Sequence, residues 1–236
     1  MAGSIVKFIV AALACAALAI PVAVAESPKQ ETADVAAAPP LYQLPKVGKP
    51  TGRVGGGRRG GTAALPQVYA LVPDHVGYSA SPQPVLYWYL SEQAQGDVRF
   101  ELTVIDENSI VPLVDSRFAA PPNPGVQRVE LSKLGVALKP GEEYQWSVSL
   151  VPDPKDRSKD RVASGWIEVV ARPQGMDDRL AKAGPSGAAA VYGEEGLWYD
   201  TLDATLAQAD RGDTQAQGQL TSLLEQVGLP ADAATR

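Results

Sequence analysis

Residues 97–106 read DVRFELTVID. Val98, Phe100, Leu102 and Val104 fall on one face, and Arg99, Glu101 and Thr103 on the other. This period of two marks a half-buried antiparallel strand. Residues 144–150 (YQWSVSL) repeat the pattern, with Tyr144, Trp146, Val148 and Leu150 inward and Gln145, Ser147 and Ser149 outward. Residues 85–90 (VLYWYL) are apolar on both faces, as expected of a central strand. Further strands are expected at 67–72, 113–118, 128–131 and 162–170, punctuated by Asn-Pro-Gly, Pro-Gly and Pro-Asp-Pro turns. About seven short strands at this spacing predict a mainly β fold, an antiparallel β-sandwich of immunoglobulin/fibronectin-like type over residues 65–172. No βαβ alternation occurs, which argues against a doubly wound nucleotide-binding sheet.

After Arg172 the period changes. Trp198, Leu202, Leu206 and Ala209 share one helical face, and Gly212 breaks the run. Thr214 with Gln217 is read as a capping box opening a second helix. Leu220, Leu223, Leu224 and Val227 form its apolar stripe, and Gly228 and Pro230 end it. A weaker helix is expected around 177–192. Residues 173–236 are therefore read as a C-terminal α-helical hairpin packed on the sandwich.

Composition narrows the chemistry. The chain has 236 residues, 21 Lys+Arg against 27 Asp+Glu, and a formal net charge of −6. An acidic chain is a poor general nucleic-acid binder, and no nucleic-acid partner is expected. One Cys and one His argue against zinc fingers, disulfide scaffolds, haem attachment and Cys/His nucleophile pairs. At the N-terminus Lys7 precedes an apolar run over 8–24, and Ala23-Val24-Ala25 is an A-x-A site before polar Glu26-Ser27. Residues 1–25 are read as a signal peptide cut after Ala25, which directs the chain to the periplasm or the extracellular space. Cys15 lies inside the apolar run, and a leucine at the wrong place in Ala12-Leu13-Ala14-Cys15 argues against lipidation. The mature chain then has no cysteine, and no transmembrane span is expected after cleavage.

Residues 26–64 are read as a flexible Pro/Gly-rich linker. Its run Gly52-Arg53-Val54-Gly55-Gly56-Gly57-Arg58-Arg59 forms a basic arm. Arg53, Arg58 and Arg59 are binding candidates for an anionic envelope polymer or another envelope protein. Residues 153–161 form the densest charged stretch, and Asp156 and Arg157 are candidates there, weighed against a self-paired surface loop. Tyr87 and Tyr89 share a face opposite Trp88. They are candidates for an aromatic ligand groove, provided helices do not cover them.

Catalytic signatures are missing. His75 is the single imidazole; Asp74 beside it points to the opposite face of a strand, and a turn histidine is the expected reading. No cofactor, metal site or catalytic residue is expected. A carboxylate-based hydrolase remains an alternative, which needs two acids from different strands across a cleft among Glu142, Glu168, Asp177 and Glu194.

Several segments in a fixed order carry a resemblance. Pro45-Lys46-Val47-Gly48, the Gly-Arg run, Leu86-Tyr87-Trp88-Tyr89, Asp153–Ser158, Gly165-Trp166-Ile167-Glu168 and Tyr192-Gly193-Glu194-Glu195-Gly196-Leu197-Trp198-Tyr199-Asp200 resemble the bacterial family called domain of unknown function 928. The likeness runs over roughly residues 44–228. It implies an exported bacterial protein and supplies no activity. Where the family usually has Tyr-Ala-Glu, this chain has Tyr192-Gly193-Glu194. The function expected is a non-enzymatic interaction or structural module of the periplasm or cell envelope. A small-ligand binder using the aromatic face is a further alternative.

Overall fold

The computed structural model describes residues 41–44, 65–95 and 98–234. The stretches that alternate in sequence are the strands that build its larger sheet. In chain order the strands are β1 (Val68–Ala70), β2 (Gly77–Ser79), β3 (Val85–Leu90), β4 (Arg99–Asp106), β5 (Val114–Ala119), β6 (Gly125–Glu130), β7 (Glu143–Val151) and β8 (Arg161–Val169). One sheet has the order β2-β8-β7-β4-β5 and the other β1-β3-β6. In register, Phe100 lies opposite Leu150 and Phe118, and Trp146 opposite Val104 and Gly165.

Two expectations are corrected here. The pairing is not wholly antiparallel, because β2 runs parallel to β8, with Gly77 opposite Ile167. The strand expected at 128–131 is Gly125–Glu130, paired with β3. Leu131 instead opens a short 3₁₀ turn, Leu131–Leu134, which closes on Gly135 at φ 68, the left-handed region that favours glycine.

The inward faces of both sheets share one core. Phe100, Leu102 and Val104 of β4 and Tyr144, Trp146, Val148 and Leu150 of β7 are buried. Trp88 of β3 meets Phe118 of β5 with ring centroids 6.0 Å apart. Gly165 of β8 marks a close approach: a Cβ there would lie 2.6 Å from Val72 Cγ2.

The helical part has three α-helices: α2 (Trp198–Ala209) and α3 (Thr214–Gln226) carry the two expected stripes, and α1 (Met176–Glu194) covers the expected weaker helix. The weak periodicity over 177–192 has a physical cause. Gly184 sits at φ 65, ψ −176, outside helical geometry, and Pro185 follows, so α1 is two helical pieces joined at a break. The cap of α3 is also corrected. Its N-cap is Asp213, whose carboxylate accepts from Gln215 N and Ala216 N; Thr214 is already the first helical residue.

Two adjacent aromatics fasten α2 to the sheets. Trp198 Nε1 donates to Leu71 O at 2.9 Å. The Tyr199 hydroxyl accepts from Trp146 Nε1 at 2.8 Å and donates to Trp166 O at 3.0 Å. Burial pushes the Tyr199 hydroxyl pKa well above its ordinary value. Tyr199→Phe leaves the buried Trp146 Nε1 without its acceptor and should lower stability by about 1–3 kcal/mol. A chemical-denaturation midpoint equal to that of the wild type contradicts this reading of the contact.

Inside the stretch expected to be linker, residues 41–44 lie against the helices. Gln43 N donates to Gly193 O at 2.9 Å. Tyr42 is buried, edge-on to Trp198 at 5.1 Å, with its hydroxyl 3.4 Å from His75 Nε2. His75 follows Pro73 and the bend at Asp74. It is buried, its Nδ1 lies 2.8 Å from Val76 O, and a proton on Nδ1 leaves Nε2 to accept from Tyr42. Asp74 is exposed and takes no part.

Candidate interaction surface

The site residues expected from sequence fall into three places. Arg53, Arg58 and Arg59 lie outside the described residues, as do the expected signal peptide over 1–25 and all of the expected linker except residues 41–44. Asp156 and Arg157 lie in the β7–β8 connection, where Asp156 caps a 3₁₀ turn over Arg157–Lys159. The Ser158 hydroxyl donates to Asp156 Oδ1 at 2.5 Å, and Lys159 Nζ lies 3.0 Å from Oδ2. These contacts, Ser158 first, hold the Asp156 carboxyl below its ordinary pKa. Arg157 reaches back to the sheet, with Nη2 2.7 Å from Glu101 Oε2 and Nε 2.6 Å from Asp160 Oδ2. Glu101 also takes Arg117 Nε at 3.2 Å. A chain Arg117–Glu101–Arg157–Asp160 thus spans β5, β4 and the loop. The Arg157 hydrogen bond is the main cause that lowers the Glu101 pKa, while burial raises that of Asp160. The loop charges are spent largely on each other and on the sheet.

Tyr87 and Tyr89 share a face, and they have different surroundings. The Tyr87 hydroxyl donates to Asp203 Oδ1 of α2 at 2.6 Å, and burial followed by that contact raises its pKa far above the ordinary value. Tyr89 is buried and lies against Tyr69 with centroids 6.5 Å apart. The Tyr87 ring does line one wall of a shallow cleft of about 390 Å³, with Pro122, Asn123, Gln127 and Arg128 on its other walls. Arg128 Nη1 stands 3.9 Å from Asp210 Oδ2 at its mouth, a half-exposed pair that contributes little. The cleft offers amide and guanidinium hydrogen bonding, while the Tyr87 proton is committed to Asp203.

The carboxylates of the hydrolase alternative do not converge as a group. Asp177 is exposed in the first turn of α1, bonded to Arg172 at 2.5 Å. Glu194 is exposed at the other end of α1, where Arg179 holds both it and Glu195. Glu142 lies in the turn before β7. Glu168 stands in register with Glu143 across β7 and β8 and with Tyr78 of β2, on the outer face of the sheet. Among the described residues, no group of three or more His, Cys, Asp or Glu is placed to hold a metal ion. No helix there is long and apolar enough to cross a membrane.

One surface was missed from sequence. The β4–β5 connection presents Ile110 at 96% exposure, Val111 at 67% and Leu113 at 41%. Short Asx and Ser turns shape it: Asn108 N donates to Asp106 Oδ1 at 2.8 Å, and Val111 N to Ser109 Oγ at 3.0 Å. The tip adjoins β5, which among the described residues ends the sheet and pairs only with β4. At the other end of the sheet α2 covers β2: Ala80 N donates to Asp200 Oδ2 at 2.9 Å and Gly77 lies under Tyr199. The signal in sequence was Ile-Val-Pro-Leu directly after the turn pair Asn108-Ser109, too many apolar residues for a solvated hairpin end.

The fibronectin type III domain of human collagen alpha-1(XX) chain is similar at TM-score 0.27 and 10% identity, over 50% of this chain and 91% of that domain. Astrotactin-2, a vertebrate-specific perforin-like membrane protein, is similar at TM-score 0.29 and 10% identity, over 72% of this chain and 35% of that one. Likenesses this low carry no argument. No curated protein matches the chain. The model of the family "Domain of Unknown Function (DUF928)" matches residues 54–236, and the chain belongs to that family.

Proposed function

We propose that this chain is an exported, non-enzymatic interaction or structural module of the periplasm or cell envelope. In this reading the two sheets form a fibronectin-like sandwich, and the C-terminal helices brace it against β2. Export rests on Lys7, the apolar run over 8–24 and the Ala23-Val24-Ala25 site. The observation that carries the interaction role is the tip of Ile110, Val111 and Leu113, exposed beside the end strand of the sheet. Large apolar side chains held in water on a structured hairpin mark a contact surface. The Gly-Arg arm of Arg53, Arg58 and Arg59 supplies a second, electrostatic contact to an anionic envelope polymer or protein.

The test is a crosslinking pull-down from the envelope fraction with three full chains: wild type, Ile110→Asp/Val111→Asp, and Arg53→Ala/Arg58→Ala/Arg59→Ala. The tip variant should lose most of the captured material while its thermal unfolding temperature stays at the wild-type value. The arm variant should lose the salt-sensitive part. Capture unchanged in both variants removes this reading.

A further inference from the structure

Resting on the interaction reading above, we infer that the partner of the β5 edge is a second copy of this chain, paired antiparallel with β5 about a twofold axis at Ser116. β5 reads Val114-Asp115-Ser116-Arg117-Phe118-Ala119 and, among the described residues, has a strand on one side only. With the axis at Ser116, Asp115 of each copy stands opposite Arg117 of the other, on both sides of the axis. Val114 stands opposite Phe118 on the inner face. Opposite charges in direct cross-strand positions stabilise a pair, and like charges destabilise it.

No neighbouring register does as well. An axis at Asp115 sets Asp115 against itself, and an axis at Arg117 sets Arg117 against itself. A half-step shift sets outward residues opposite inward ones, which breaks the alternation of buried and exposed positions. Asp115 and Arg117 are both exposed, so each is accessible to a second copy. Glu101 engages Arg117 through Nε, and the terminal nitrogens remain for Asp115 of the second copy. The apolar tip extends the match: Leu113 falls opposite Ala119, and Val111 and Ile110 fall near Pro121 and Pro122 of the second copy. β5 has no Lys and no Pro between Val114 and Ala119, and its two charges, Asp115 and Arg117, are of opposite sign and so match across the axis. A twofold, self-complementary contact of this kind closes at the dimer. Its six-residue ladder is short, so the dimer belongs to the weak class of interfaces.

The test is register-specific. In the full chain carrying Cys15→Ala, Ser116→Cys places the only two thiols of a dimer directly opposite each other, about 4.5–5.5 Å apart at Cα and within disulfide reach. Asp115→Cys in the same background leaves them roughly 8 Å apart, beyond reach. Under mild oxidation Ser116→Cys should convert most of the chain to a disulfide dimer, with at least about tenfold more dimer than Asp115→Cys. By analytical ultracentrifugation, Asp115→Arg and Arg117→Asp should each abolish the non-covalent dimer, and the double swap Asp115→Arg/Arg117→Asp should restore it; both variants that carry Arg117→Asp lose the pair with Glu101 and should unfold at a slightly lower temperature. A wild-type chain that stays monomeric, or equal bridging from positions 115 and 116, overturns the second-copy assignment. If that assignment fails while Ile110→Asp/Val111→Asp still loses envelope capture, the interaction reading stands and its partner is a different protein.

Discussion

Gly193→Ala is expected to detach residues 41–44 from the helices and to lower stability, although alanine is the better helix former. A Cβ at position 193 would lie 1.8 Å from Leu41 O and 2.9 Å from Leu41 C. Both are backbone atoms, which no side-chain rotation can move aside. Position 193 lies near the end of α1, where replacing glycine by alanine normally gains about 0.5–1 kcal/mol. Against that gain stand the loss of the Gln43 N to Gly193 O hydrogen bond and the exposure of the Tyr42 ring. Re-exposing one large side chain costs roughly 2–3 kcal/mol and the hydrogen bond about 1 more, so loss exceeds gain by about 2–3.5 kcal/mol. The variant should also become cleavable by protease at residues 41–44, where the wild type is protected. A small rise in stability with protection intact would show that the segment does not depend on the glycine.

Trp198→Ala should be the most damaging single truncation. Trp198 is fully buried at the start of α2. Its indole supplies three things at once: filled volume in the core, the hydrogen bond to Leu71 O, and the wall against which Tyr42 stands edge-on. Truncating a buried tryptophan to alanine costs about 3–5 kcal/mol through lost transfer energy and residual cavity. Trp198→Phe retains most of the apolar volume and loses the hydrogen bond, so it should cost less, about 1–3 kcal/mol. The ordering Ala worse than Phe, read from urea midpoints with unchanged slope, tests the assignment. A loss below about 1 kcal/mol for Trp198→Ala would mean that α2 is not fastened at this point.

Much of the sheet was legible because β4 and β7 alternate over eight and nine residues, long enough for a period of two to stand out. β3 coincides with the expected central strand. β2 was not legible, since Gly77-Tyr78-Ser79 is three residues long and its partner, β8, lies nearly ninety residues further along the chain. The stripes of α2 and α3 were plain, while the break at Gly184-Pro185 blurred that of α1. The cap of α3 was misplaced by one residue because Thr214 and Asp213 are both good cap types, and only the hydrogen bonds of the Asp213 carboxylate distinguish them.

Tyr42 was hidden for a different reason. Its neighbours have linker composition, and its burial depends on a pocket between Trp198 and His75 that only the tertiary fold creates. The candidate site divides the same way. Residue type singled out Tyr87 and Arg157, but their partners, Asp203 and Glu101, lie 116 and 56 residues away in sequence. Of the Ile110–Leu113 tip only Leu113 was singled out, as the first residue of an expected strand, and its exposure is a property of the folded chain.

In the proposed role the chain acts through the β4–β5 tip and the strand beside it. A photoreactive phenylalanine at position 110 of the full chain, activated in living cells, probes that surface where it works. The adduct should join position 110 to residues 120–122 of a second copy, and the same probe at Leu134, an apolar side chain 38% exposed elsewhere on the surface, should give none. No adduct from position 110, or an equal yield from position 134, would contradict the claim.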